Sequence, residues 1–106
     1  MNLTEFSKEV HENAVAHGWW ESDRGFGEII ALCHSELSEA LEEYRNGKPM
    51  LYQKGEKPEG IAVELADCII RILDYCGKEG IDIESLLKIK HEFNKTRPYK
   101  HGGKAI

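Results

Sequence analysis

Glu36, Glu39 and Glu43 stand at i, i+3 and i+7, a spacing that puts three carboxylates on one face of a helix. After residues 40–63 comes a second pair, Glu64 and Asp67, again three apart, and Arg71 and Asp74 continue its ridge. Glu42 points further out towards solvent. Two such carboxylate faces brought together across a seam between neighbouring helices repel each other, and each loses hydration. A hard divalent cation compensates for both effects. Mg²⁺ suits the role because it takes oxygen ligands, keeps several waters and bridges to phosphate oxygens. Mn²⁺ accepts the same ligand type. One Glu-x-x-Glu pair is commonly just a solvated face with local Lys or Arg partners. Two pairs on consecutive helices leave two readings open, a solvated acidic face and a metal site.

Four helical segments must position these groups. The first, about Leu3 to His17, repeats Phe6, Val10, Ala14 and Val15 at helical spacing and stops at Gly18. Residues 19–27 read as a loop. The second runs from about Gly27 to Asn46, with Ile29, Ile30, Cys33, Leu37, Ala40, Leu41 and Tyr44 on one stripe. The Glu36–Glu39–Glu43 face borders that stripe. Asn46-Gly47 ends this helix, and the segment up to Pro58 reads as a loop with no strand. It carries Lys48, Lys54 and Lys57; Lys54 and Lys57 read as solvated, with a lid over a ligand as the alternative, and the loop is left unassigned. The third helix, after Pro58 to Gly77 or Gly80, has Ile61, Leu65, Cys68, Ile69, Ile72, Leu73 and Cys76 as its expected core stripe. The fourth, about Asp82 to Lys95, is capped by Asp82 and closed by Pro98. The class is all-α.

Composition excludes several functions. The chain has 106 residues, 31% charged and 41% from the hydrophobic set, the balance of one globular domain. Its net charge of −5 disfavours nucleic acid and anionic membrane as partners. No apolar run is long enough to span a bilayer. Cys33, Cys68 and Cys76 form no C-x-x-C pair; with no secretory pattern at the N-terminus, reduced cysteines in a cytoplasmic protein are expected. A core this small gains from burial against another copy.

Set in these helices, Glu36-Leu-Ser-Glu39 followed by Glu64-Leu-Ala-Asp67 resembles the E-x-x-E … E-x-x-D pattern of the MazG-like nucleotide pyrophosphohydrolases. The likeness extends over His34-Ser-Glu-Leu-Ser-Glu-Ala-Leu-Glu-Glu, Glu64-Leu-Ala-Asp-Cys-Ile-Ile-Arg-Ile-Leu-Asp, Gly80-Ile-Asp and Lys90-x-x-x-Asn94-x-x-Arg97-Pro98. It covers roughly Gly27 to Gly103. The resemblance implies a single domain over 1–106: an N-terminal helix and loop (1–26), catalytic helices (27–97) and a flexible basic tail (98–106). It implies the four-helix bundle of the all-α NTP pyrophosphatase type, completed by oligomerisation as a homodimer or homotetramer. The implied activity is Mg²⁺-dependent cleavage of a nucleoside triphosphate to monophosphate and pyrophosphate, in the service of nucleotide-pool clearing. A related enzyme, phosphoribosyl-ATP pyrophosphohydrolase, shares a similar acidic pattern, and a non-catalytic helical interaction module is the alternative of another class.

Residue by residue, the resemblance makes Glu36, Glu39, Glu64 and Asp67 metal ligands, with Glu43 a further ligand or a base for water. Asn94 and Arg97 match positions near the substrate. Lys100, Lys104 and Gly102-Gly103 follow; a basic, glycine-containing tail can wrap onto phosphates. The resemblance also offers Trp20, or its neighbour Trp19, for stacking on the base, although tryptophans in small proteins more often serve packing. The five histidines form no ligand pattern.

Overall fold

A computed structural model describes residues 1–99. The helices are α1 (Leu3–Ala16), α2 (Phe26–Arg45), α3 (Ile61–Glu79) and α4 (Ile83–Lys95), with short strands β1 (Tyr52–Lys54) and β2 (Lys57–Glu59) between α2 and α3. Local chemistry sets the ends. Asn2 Oδ1 accepts from the backbone N–H of Thr4 and Glu5, and Asp82 caps α4 by accepting from the Ser85 N–H. Gly80 ends α3 in the left-handed region at φ 68°, which glycine enters without a Cβ penalty. Thr4 Oγ1 donates to Asp82 Oδ1 at 2.7 Å and accepts from the Glu84 N–H. The N-terminal ends of α1 and α4 are thereby tied together.

Both α1 and α2 pack against α3, whereas α4 has its main contact with α1. The shared seam is a short apolar core: Ile29, Cys33 and Ala40 of α2, Cys68, Leu73 and Cys76 of α3, and Ser7 of α1 are buried. A Cβ placed on Gly77 would lie 2.3 Å from the Ser7 carbonyl oxygen, so glycine there lets α1 and α3 approach. The three cysteines are free and buried. None of the described helices is long and apolar enough to cross a membrane.

Two expectations need correction. The 47–58 segment, read as a loop without strands, contains an antiparallel hairpin in register Tyr52↔Glu59, Gln53↔Pro58 and Lys54↔Lys57. Gly55, at φ 66°, opens its two-residue turn, a Gly-x connection that favours tight hairpins. Pro58 is tolerated because a two-stranded ribbon consists only of edges. The apolar stripes also divide, and only part of each is core. Leu37, Leu41 and Tyr44 of α2, Leu65, Ile69 and Ile72 of α3, and Leu86, Leu87, Ile89 and Phe93 of α4 are exposed. The radius of gyration is 16.4 Å, against about 13 Å for a compact chain of this length. The single chain is helical and open.

Candidate functional site

The α2–α3 seam brings together the carboxylates separated in sequence. Glu36 is buried at 7% exposure, while Glu64 and Asp67, on the first two turns of α3, are half-buried. Carboxylate oxygens of Glu36, Glu64 and Asp67 lie within 4.8 Å of one another. Glu39, exposed one turn along α2, lines a hollow with Glu64 and adds its charge to the group. Glu64 is therefore the hub of all four.

Its electrostatics follow from that position. Burial first, then contact with the carboxyls of Glu39 and Glu36, raises the Glu64 pKa from 4.5 to about 7. Asp67 is also raised, by burial first and then by the charge of Glu36. Among the described residues no donor reaches the buried Oε2 of Glu64. Carboxyl groups so placed satisfy one another only by sharing a proton or a cation. An all-oxygen donor set of this kind fits Mg²⁺ or Mn²⁺.

A second acidic grouping adjoins the first. Oxygens of Glu43, Glu59 and Glu64 lie within 4.8 Å of one another, so Glu43 does stand beside the hub. Glu59 comes from β2 and was not anticipated in the sequence. Tyr52, its cross-strand partner, donates its hydroxyl to Glu43 Oε1 at 3.0 Å, and Lys57 Nζ lies 3.1 Å from Glu59 Oε1. The Gly55 turn was the available signal for this hairpin. The tertiary contacts had none.

On the other side, Arg71 Nε donates to Glu36 Oε1 at 2.9 Å. The Arg71 guanidinium carbon sits 4.9 Å from the Trp19 ring centroid, and that of Arg24 sits 3.8 Å from it, within cation–π range. Trp19 lines a cavity of about 640 Å³ between α1 and α3, with Phe6, Val10 and Ile70; Glu36, Asp67 and Arg71 also line it. That size is in the range of small-molecule pockets. Trp20 is not among the lining residues. Its indole N–H donates to both Asp74 oxygens, at 3.0 and 3.2 Å. Asp74 is itself buried and receives His11 Nδ1 at 2.8 Å, and the His11 and Trp20 rings meet edge-on. This triad locks α1 and the following turn to α3.

Asn94 is exposed and Arg97 half-buried beyond it, at the C-terminal end of α4. Because α4 leans on α1, neither is brought to the carboxylates among the described residues. Lys100 and Lys104, with the rest of the basic tail, lie outside the described residues. Comparison with family models, with curated proteins and with solved structures finds no match to this chain.

Proposed function

We propose that this chain is a Mg²⁺-dependent nucleoside triphosphate pyrophosphohydrolase that releases nucleoside monophosphate and pyrophosphate. The observation that carries the reading is the meeting of Glu36, Glu64 and Asp67, with Glu39 one turn along α2, around a buried Glu64 oxygen that no donor reaches among the described residues. Those four side chains would hold the ion. Bound there, Mg²⁺ supplies neutralising charge to phosphate oxygens and acidifies water. The residues of the chain do the rest. Arg71 fixes the Glu36 carboxylate through its Nε, and the adjoining cavity with Trp19 takes the nucleoside. Glu43, oriented by Tyr52, would stand beside Glu64 as a further ligand for the ion. The water oxygen bonds to the α-phosphorus. The bridging oxygen departs with its electron pair on pyrophosphate, and the released proton passes to carboxylate and then solvent.

The same reading includes a four-helix bundle of the all-α NTP pyrophosphatase type, completed by further copies as a homodimer or homotetramer. Exposed Leu37, Leu41, Leu65, Ile69 and Ile72 on the two acidic helices, and Leu86, Ile89 and Phe93 on α4, support it, because apolar surface on this scale normally finds a partner. In such an assembly α4 of another subunit is the route by which Asn94 and Arg97 reach a carboxylate group. Clearing of unwanted nucleotides in the cytoplasm is the role this activity fits.

Variants test the reading. Glu36→Ala and Asp67→Ala should abolish Mg²⁺-dependent turnover, by about 100-fold or more, while circular dichroism keeps the helical signal. Full activity in either variant would remove the ligand assignment. Turnover of phosphoribosyl-ATP alone would redirect it to that relative's reaction. Indifference to Mg²⁺ would leave the interaction module.

A further inference from the structure

The hairpin is anchored to the acidic site and is not a free loop. At its base, the Ile61 and Ala62 N–H groups donate to the carbonyls of Pro49 and Met50, which satisfies two N-terminal donors of α3. Gly60, at φ 126°, fits beneath the Met50 carbonyl, where a Cβ would come within 2.4 Å. At the same end Tyr52, paired with Glu59, donates to Glu43.

The register then decides which side chains face the carboxylates. Directly paired residues share a face, as do residues two apart along a strand. Tyr52, Lys54, Lys57 and Glu59 therefore occupy one face, and Gln53 and Pro58 the other. Tyr52 and Glu59 already reach Glu43 and Glu64 on that side. The two lysines project from the same face. Lys57 pairs with Glu59 at 3.1 Å and is 75% exposed, within the field of Glu64 and Asp67 as well, and an exposed pair of that kind exchanges partners at little cost.

The two sides of the carboxylate group have opposite character. On the α1 side lies the aromatic cavity of Trp19, whose nearby cation Arg71 is committed to Glu36. On the hairpin side, Glu39, Glu43 and Glu64 line a smaller hollow of about 230 Å³ with Glu42 and Asn46. A polyphosphate crossing an acidic rim needs cations beyond the metal. We propose that this hairpin face is the binding wall for the pyrophosphate end of the substrate: Lys57, with Lys54 beside it, holds the β- and γ-phosphates while the nucleoside occupies the α1–α3 cavity. This rests on the pyrophosphohydrolase reading and deepens it, since it makes the hairpin the element that selects triphosphates over diphosphates.

The test is calorimetric titration of the full chain with inorganic pyrophosphate in the presence of Mg²⁺, and separately with Mg²⁺ alone, alongside assays of turnover. The double variant Lys54→Gln/Lys57→Gln should bind pyrophosphate about tenfold more weakly, the loss of one to two charge-assisted contacts. It should bind Mg²⁺ alone as the unaltered chain does. Lys57→Arg in the Lys54-containing chain should retain pyrophosphate binding, which separates a charge contact from a structural one. Equal pyrophosphate affinity in the double variant, or no pyrophosphate binding by the unaltered chain, overturns the proposal. Pyrophosphate binding that depends on the lysines, without turnover of any nucleotide, supports the hairpin site and sinks the reaction instead.

Discussion

Arg71 Nε lies 2.9 Å from Glu36 Oε1, joining a buried carboxylate of the acidic group to the cation that faces Trp19. The pair spans α3 and α2 and leaves neither charge alone at the seam. Its loss is therefore felt in folding as well as in the site. Arg71→Gln keeps a hydrogen-bonding side chain but removes the positive charge beside Glu36. Destabilisation of about 2 kcal/mol is expected, read as a lowered denaturant midpoint with unchanged slope. A midpoint equal to that of the unaltered chain would show the pair to be dispensable.

Glu64 makes the metal-free protein sensitive to pH. Burial, followed by contact with Glu39 and Glu36, lifts its pKa from 4.5 to about 7, whereas the unfolded chain ionises it near the lower value. Between those limits the folded state holds the extra proton, so this group's contribution to stability falls as pH rises from about 4.5 to 7 and is level outside that window. The melting temperature of the metal-free protein should accordingly drop between about pH 4.5 and 7, and Glu64→Gln should flatten that drop. Mg²⁺ displaces the same proton, so its affinity should increase with pH across the window. An identical pH slope in Glu64→Gln would contradict the placement of Glu64 at the hub.

The exposed apolar faces of α2 and α3 give a third expectation. Ile69, 54% exposed on α3, should be covered in an oligomer. Ile69→Glu should shift the mass measured by analytical ultracentrifugation towards that of a monomer, because a buried unpaired carboxylate in the contact is costly. A monomer before any substitution would remove the bundle completed by further copies.

Much of the scaffold was legible because its determinants are local. Asp82 caps α4, Asn46-Gly47 follows the end of α2, and helical periodicity located all four helices to within a residue or two. The i, i+3 carboxylates were legible for the same reason. What lay hidden depends on distant contacts. A three-residue strand has too little pattern to read, and the hairpin docks through Tyr52 on Glu43. Arg71 finds Glu36 across the seam, although both had been noticed as ridge residues. Adjacent tryptophans cannot be told apart by type. Trp20 meets Asp74 and His11 while Trp19 faces the cavity. Periodicity also cannot tell which half of a stripe the chain buries by itself, and so Leu65, Ile69 and Ile72 read as core.

The most direct measurement is product analysis after incubating the purified chain with a panel of standard and modified nucleoside triphosphates, with Mg²⁺ and then with EDTA. Equimolar pyrophosphate and nucleoside monophosphate, formed with Mg²⁺ and suppressed by EDTA, is the predicted result. Release of orthophosphate, or turnover unaffected by EDTA, would contradict hydrolysis at the α–β bond by a metal held on Glu36, Glu39, Glu64 and Asp67.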